Sequence, residues 1–228
     1  MSSSPDNPGR AMAREPILRL SAAVKRYGGR TVLNVDRFEV FEDDRIELIG
    51  ANASGKSTLT RILAGYGRLS AGDVERAPDL SGRAIGLLPQ SGGLYRDLTL
   101  MENLVAITRL MGRKGQVHPH SERVLAELDL FDYLDRKAAT LSGGIQKLGA
   151  LAALISARPA GLILDEPFAG LDPAKSQIVA DLIKNDAYPF RFIIVTSHKA
   201  QDLFPDSRVI QIQDGRIAQG RPPSGGPA

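Results

Sequence analysis

The sequence predicts an α/β fold with a mostly parallel sheet and a helical block inserted between two of its strands. Short apolar runs such as Arg45–Ile49 and Phe192–Thr196 are separated by segments of helical periodicity, a pattern typical of strands joined by helices. From Ser91 to about Ala139 the pattern is mostly helical, which indicates an insertion. In addition, a glycine-rich loop joins one strand directly to a helix, as in parallel α/β proteins.

Turn residues bound the predicted strands. Ile17–Val24 and Val32–Phe41 flank the turn KRYGGR, which contains Tyr27, and Asp214-Gly215 separates two short strands that form a closing hairpin. Strands are predicted at residues 17–24, 32–41, 45–49, 84–88, 161–164, 192–196, 208–213 and 216–218, with a further short strand within 67–83.

Capping residues mark where the predicted helices begin. Thr99 and Glu102 form a capping box, Ser142 is a natural N-cap, and Pro173 occupies the first turn of another helix. Helices are predicted at residues 56–64, 100–111, 121–128, 145–157 and 173–185, with a short helix at 199–204.

The composition is typical of a soluble globular protein and excludes several functions. The chain has 228 residues, 43% hydrophobic and 24% charged, and its net charge of +3 is too small to indicate a nucleic-acid partner. The absence of cysteine excludes disulfides, cysteine-ligated metals and thiol catalysis. The uncharged run Leu148–Ala157 is about half the length of a spanning helix. We expect one domain at 15–220, with a disordered tail at 1–14 and a loose tail at 221–228.

The stretch GANASGKST, from Gly50 to Thr58, predicts a site for a nucleoside triphosphate. It has the pattern of glycine, four residues and Gly-Lys-Ser, with a strand before it and a helix after it. The backbone N–H groups of such a loop and the positive helix end converge where a phosphate can bind. We expect Lys56 to reach the terminal phosphates and the Ser57 hydroxyl to coordinate Mg²⁺.

A second helix end has the same chemical character. Ser142, Gly143 and Gly144 directly precede an apolar helix, and the two glycines allow an anion to approach the backbone closely. Taken alone, this stretch is typical of an ordinary loop and helix cap.

Two carboxylates follow the predicted strand at 161–164. Asp165 is placed to hold Mg²⁺ through its water shell, and Glu166 to orient or deprotonate an attacking water. The alternative is a paired-carboxylate turn without chemistry. Gln90 and His198 also lie at strand ends, where open parallel sheets bind ligands, although a lone glutamine there is more often solvated.

Taken in order, these features resemble the ATP-binding cassette (ABC) ATPases over residues 17–220. The features are Tyr27, GANASGKST, Gln90, LSGG, LILDEP followed by GLD, and His198. The resemblance implies a P-loop NTPase core with a mostly parallel sheet, an N-terminal antiparallel β subdomain and an α-helical subdomain inserted at about 91–157. It also implies ATP and Mg²⁺ as cofactors.

The resemblance further implies a role for each matching residue. Tyr27 would stack on adenine, Gln90 would contact Mg²⁺ and the attacking water, Asp172 would close the D-loop, and His198 would contact the γ-phosphate. The nucleotide-binding residues would be Tyr27, Gly50, Ala51, Asn52, Ala53, Ser54, Gly55, Lys56, Ser57, Thr58, Ser142, Gly143, Gly144 and Asp172. Ser57, Gln90 and Asp165 would bind the metal, and Glu166, His198 and Gln90 would be catalytic.

Three positions depart from the family pattern. Ala53 replaces a usual glycine, which is tolerated unless the backbone there requires a positive φ. Ile145 replaces the usual glutamine of LSGGQ, and Leu148 lies where a basic residue is common. None of these changes removes a catalytic group, so we expect an active ATPase.

Cassettes of this family pair head to tail, so Lys56 and Ser142 of one chain would serve different ATP molecules. The resemblance implies an ATP-hydrolysing subunit at the cytoplasmic face of a membrane, with a second cassette, identical or paralogous, and separate transmembrane permease subunits as partners. The permease would dock near Gln90 and the helical subdomain. The stretches LTLMENL, QKLGAL and DEPFAGLDP favour an exporter of the ABC-2 type. The alternative is a non-transport ABC ATPase, such as one of iron–sulfur assembly.

Overall fold

The computed structural model describes residues 14–80, 84–113 and 119–221. The tails predicted at 1–14 and 221–228 lie almost entirely outside these residues. The strands are β1 (Leu18–Tyr27), β2 (Arg30–Val40), β3 (Asp44–Ile49), β4 (Ala71–Arg76), β5 (Ile85–Leu88), β6 (Gly161–Asp165), β7 (Phe192–Ser197), β8 (Arg208–Gln213) and β9 (Arg216–Arg221). The α-helices are α1 (Lys56–Leu63), α2 (Leu100–Leu110), α3 (Pro119–Glu127), α4 (Gly143–Ser156) and α5 (Pro173–Lys184).

The larger sheet is mostly parallel, as predicted. Its strand order is β5-β6-β7-β3-β8-β9, and only β9 runs antiparallel to its neighbour. Every residue of β6 and β7 is buried, because their apolar sequences pack on both faces of the sheet. The segments that follow β3, β5, β6 and β7 therefore meet at one edge of the sheet.

The smaller sheet is antiparallel and has the order β2-β1-β4. The predicted turn KRYGGR is shorter in the structure, because β1 continues to Tyr27 and only Gly28 and Gly29 form the turn. Both glycines have a positive φ, as two-residue hairpins of this kind require. Tyr27 pairs with Arg30 at the end of the ladder, so its predicted position within the turn was wrong.

The helical block has the predicted helices with small shifts of their ends. Thr99 and Glu102 form the capping box of α2, and the Ser142 hydroxyl accepts a hydrogen bond from the Ile145 N–H at the start of α4. Helix α4 packs against α2 at Gly149, where a Cβ would lie 2.5 Å from Leu100 Cδ1. In the described parts of the chain, no helix combines the length and apolar composition needed to cross a bilayer.

The helix predicted at 199–204 was wrong, since this segment contains no helix. The reason is Glu47, a buried residue of β3. Its carboxylate accepts hydrogen bonds from the backbone N–H groups of Gln201 (2.7 Å) and Leu203 (2.9 Å) and from the Ser207 hydroxyl (3.1 Å). These backbone donors bind a side chain distant in sequence, and nothing local in the sequence indicates it.

Candidate nucleotide-binding site

Two glycines are required by the shape of the loop between β3 and α1. A Cβ at Gly50 would overlap the Ile212 carbonyl oxygen of β8. Gly55 has φ 111°, and a Cβ there would lie 3.0 Å from the Val32 carbonyl oxygen. The hairpin of β8 and β9 contacts the loop, because the Gly215 N–H donates to the Ser54 carbonyl oxygen at 2.8 Å. The backbone of the loop is thus held by neighbouring strands.

The backbone at Ala53 has a positive φ, the condition under which its methyl group causes strain. Its φ is 58°, in the left-handed region that favours glycine. An L-residue with a Cβ pays roughly 1–2 kcal/mol in this conformation. The departure from the family pattern at Ala53 therefore places strain in the exposed tip of the loop.

Lys56 lies at the centre of the site and is almost fully buried. Its Nζ donates to the carbonyl oxygens of Gly50 at 2.7 Å and Ala51 at 3.0 Å. The same atom lies 3.7 Å from Glu166 Oε1, so the ammonium joins the loop to the carboxylate at the end of β6. Ser54 Oγ is also buried, and it has no hydrogen-bond partner among the residues described.

The Glu166 carboxylate lies close to polar side chains that follow three other strands. Its Oε2 accepts a hydrogen bond from Gln90 Nε2 at 3.0 Å, and its Oε1 lies 3.4 Å from His198 Nε2. The structure thus brings Lys56, Gln90, Glu166 and His198 into one cluster at the carboxyl edge of the parallel sheet. The cluster joins a cation, a carboxylate, an amide and an imidazole, which suits binding and hydrolysis of a phosphate ester.

The Thr196 side chain holds both carboxylate residues from β7. Its hydroxyl donates to Asp165 Oδ1 at 2.7 Å and accepts from the Glu166 N–H at 3.0 Å. The hydroxyl thereby holds the Asp165 carboxylate at the end of β6. Oxygen donors such as Asp165 and Ser57 fit Mg²⁺. Thr196 was not among the site residues predicted from the sequence.

Lys147 is a second contact that the sequence analysis missed. It lies on α4 with only 8% of its surface exposed, and its Nζ donates to the carbonyl oxygens of Glu166 (3.0 Å) and Ala169 (2.6 Å). Burial lowers the pKa of Lys147, although the nearby charges of Glu166 and Asp165 act in the opposite direction. The one available signal was a lysine within an otherwise apolar stretch of helix.

The other predicted site residues lie outside this cluster. Tyr27 is 53% exposed, and its ring contacts the Lys25 ammonium 4.8 Å from the ring centroid. Ser142 and Gly143 are exposed, and so is Asp172. Asp172 caps α5 through the Lys175 N–H at 2.8 Å, and its ion pair with the Lys175 side chain lowers the pKa of its carboxyl group. No hydrogen bond or ion pair among the described residues joins Tyr27, Ser142 or Asp172 to the Glu166 cluster.

These features together define the class of P-loop NTPases: a strand, a glycine loop, a helix with a buried lysine and a second strand that ends in acidic residues. The family model for the ABC transporter matches residues 33–169, which is more than half of the chain. The chain therefore belongs to the ABC transporter family and is an ATP-binding ATPase subunit.

Curated relatives are identical to this chain at about a third of the aligned positions. The zinc import ATP-binding protein ZnuC of Halorhodospira halophila is 31% identical over 220 residues, covering 95% of this chain and 82% of the relative. The phosphate-import ATP-binding protein PhnC of Mycolicibacterium smegmatis is 34% identical, covering 88% and 85%. The Nod factor export ATP-binding protein I of Burkholderia orbicola is 32% identical, covering 87% and 68%.

Solved structures show the same fold. The dimeric post-hydrolysis state of the ATP-binding cassette MJ0796, bound to ADP and Pi, superposes with a TM-score of 0.78. It is 22% identical, and the match covers 92% of this chain and all of that one. The ATP-binding subunit of another ABC transporter gives a TM-score of 0.75 at 24% identity, covering 90% of each chain. The predicted fold class is thus confirmed.

Proposed function

We propose that two copies of this cassette, or this cassette and a paralogue, close head to tail around ATP and thereby drive transport through separate transmembrane subunits. The observation that carries the proposal is the separation of the two phosphate-binding helix ends. The start of α1 lies beside Glu166 and His198, whereas Ser142 at the start of α4 is exposed, and no hydrogen bond or ion pair among the described residues joins it to them. An exposed helix end with two glycines is open to an anion held by another molecule.

Within the site, each residue of the cluster has a proposed role. Lys56 exchanges its bonds to the loop carbonyls for bonds to the terminal phosphates, and Ser57, Asp165 and Gln90 would hold Mg²⁺. The bound metal would neutralise charge on the phosphate oxygens. Glu166 orients the attacking water and accepts its proton, and His198 donates to the γ-phosphate. Support comes from the position of the Glu166 carboxylate, which lies within 3.7 Å of Lys56 and 3.0 Å of Gln90.

Complementation between two inactive variants tests the shared site. Glu166→Gln removes the carboxylate that accepts the proton, and Ser142→Asp places a negative charge where the neighbour's γ-phosphate would lie. Each variant alone should lose at least about 100-fold in turnover. In a mixed dimer, one site carries both changes and the other carries neither. An equal mixture should therefore recover up to about a quarter of the wild-type ATPase rate, because half of the dimers have one intact site of two.

A mixture that recovers no activity would contradict the proposal. If each cassette hydrolyses ATP alone, mixing cannot restore activity, and the rate stays at the mean of the two variants. Cross-linking of differently tagged chains verifies that mixed dimers are present. The control mixes Glu166→Gln with Lys56→Met, since both changes lie on the same side of one site and leave no intact site in any dimer.

An apolar groove beside Gln90 supports the proposed docking of a permease. A cavity of about 510 Å³ lies between α1, α2 and α4 and is lined by Tyr66, Leu87, Pro89, Tyr95, Leu110 and other residues. Tyr66, Tyr95 and Leu110 are 64%, 50% and 44% exposed, which is unusual for large apolar side chains and typical of a partner surface. We infer that a cytoplasmic helix of the permease binds there, which places this chain peripherally on the membrane.

Leu110→Glu tests the groove, since a carboxylate in an apolar contact is costly to bury. Membrane association and co-purification with the permease should fall at least about tenfold, while the ATPase rate of the isolated cassette stays within twofold of wild type. Phe131→Glu is the matched control, because Phe131 is also half exposed but does not line the groove. Equal loss in both variants, or in neither, would contradict the assignment.

The direction of transport and the division of the chain remain separate proposals. The resemblance of LTLMENL and DEPFAGLDP to ABC-2 exporters is the basis for proposing export. The names of the curated relatives include both import and export proteins and do not support one direction over the other. We retain a helical subdomain at about 91–157, because α2, α3 and α4 all fall inside it and β5 and β6 flank it.

A further inference from the structure

Lys147 contacts the backbone of the segment that carries Glu166. Its ammonium reaches from α4 to the carbonyl oxygens of Glu166 and Ala169, and it is one of the few charged groups buried in the described core. A buried ammonium that binds two carbonyl oxygens holds both at a defined separation. Lys147 therefore links the helix that begins at Ser142 to the turn that follows β6.

The backbone of Glu166 is held on both sides. Its N–H donates to Thr196 Oγ1 at 3.0 Å, and its carbonyl oxygen accepts from Lys147 at 3.0 Å. Between these two bonds φ is 53°, a conformation that a residue with a Cβ adopts only when its surroundings impose it. The direction of the carboxylate toward Gln90 and His198 depends on this backbone conformation.

We propose that Lys147 is a positioning residue that fixes the Glu166–Ala169 turn and so aims the Glu166 carboxylate at the attacking water. The inference rests on the proposed role of Glu166 in hydrolysis. Lys147 lies on the same helix that Ser142 caps, so α4 carries both the Ser142 helix end and the two bonds to the carbonyls.

The test compares Lys147→Met, Lys147→Gln and Lys147→Arg in the full chain. Lys147→Met keeps the length and packing of the side chain but donates no hydrogen bond, so kcat should fall at least about tenfold while KM for ATP stays within twofold. Lys147→Arg can donate to both carbonyls and should recover kcat to within about threefold of wild type. Lys147→Gln has one shorter donor group and should lie between them.

Arg113→Met is the matched control. The Arg113 guanidinium also donates to two backbone carbonyls, those of Ala157 (3.3 Å) and Arg158 (3.2 Å), but at the opposite end of α4. Its loss should lower the thermal unfolding temperature without changing kcat measured well below that temperature. A kcat loss in Arg113→Met equal to that in Lys147→Met would show a general effect of helix stability and would overturn the proposal.

A double-mutant cycle with Glu166→Gln separates positioning from other roles. If Lys147 acts through Glu166, Lys147→Met should produce no further loss of residual turnover in the Glu166→Gln background. Additive losses, or a Lys147→Met kcat within twofold of wild type, would sink the inference while leaving the proposed function intact. A wild-type protein without ATPase activity would instead contradict the proposed function itself.

Discussion

The starts of α1 and α4 are both glycine-rich helix ends, yet they lie in opposite surroundings. At α1, neighbouring strands hold the loop, Lys56 is buried, and Glu166 lies 3.7 Å from its ammonium. At α4, Ser142 and Gly143 are exposed, and the Ser142 hydroxyl caps only its own helix.

The difference indicates which part of the chemistry belongs to one chain. A cation, an acid, an amide and an imidazole already lie together around the first helix end, so a single chain can bind nucleotide and orient water there. The second helix end offers backbone N–H groups and the positive end of its dipole, and no hydrogen bond or ion pair among the described residues joins Ser142 to the Glu166 cluster. Substitutions at the start of α1 should therefore abolish ATP binding. Substitutions at the start of α4 should abolish only the steps that require a second cassette.

Lys56→Met gives the largest expected effect. Loss of the ammonium removes the charge-assisted bonds to the phosphates, and ATP affinity should fall roughly 100-fold or more. Equilibrium titration with a fluorescent ATP analogue measures it. Lys184→Met, which changes an exposed lysine in the last turn of α5, should bind as wild type does. Unchanged affinity in Lys56→Met would remove the contrast between the two helix ends.

Ser142→Asp should separate the two ends most clearly. Aspartate is as good an N-cap as serine, so thermal stability should change by less than about 0.5 kcal/mol. ATP affinity of the monomer should stay within twofold, because the Lys56 site is intact. ATP-induced dimerisation of the variant with itself should be lost, since both of its shared sites then carry a carboxylate that repels the triphosphate of the neighbour. Size-exclusion chromatography with and without ATP, in the Glu166→Gln background, distinguishes these results; a dimer that persists argues against a role for Ser142.

Ala53→Gly has the smallest expected effect and sharpens the description of the α1 loop. Removing the Cβ relieves the left-handed conformation at φ 58°, and the free energy of unfolding should rise by about 0.5–1 kcal/mol. Calorimetry should then show Tm higher by roughly 1–4 °C for a chain of this size. Ala51→Gly, at a neighbouring exposed position without a positive φ, should leave Tm unchanged or lower it. If Tm rose in Ala51→Gly and not in Ala53→Gly, the inference of backbone strain at Ala53 would be contradicted.

Motif spacing was enough to predict the strands and helices that carry the site. The bounds of α1, β6 and α5 differ from the predicted ones by one residue at most, because local signals such as the glycine loop and Pro173 mark their ends. The contacts of Glu166 could not be predicted in the same way. Gln90 and His198 lie 76 and 32 positions away in the chain, and a lone polar residue after a strand has no local property that separates a ligand from a solvated side chain.

The sequence by itself determined the family, the order of the elements and the chemical types at the strand ends, since these follow from short-range patterns. Only the tertiary structure decided that Lys147 binds the carbonyls of Glu166 and Ala169, that Glu47 binds the segment after His198, and that Ala53 has a positive φ. Lys147 and Glu47 satisfy buried groups that are distant in sequence, and the φ of Ala53 is a property of the folded loop. Such constraints arise only once the chain has packed, because burial is what makes an unpaired polar group costly.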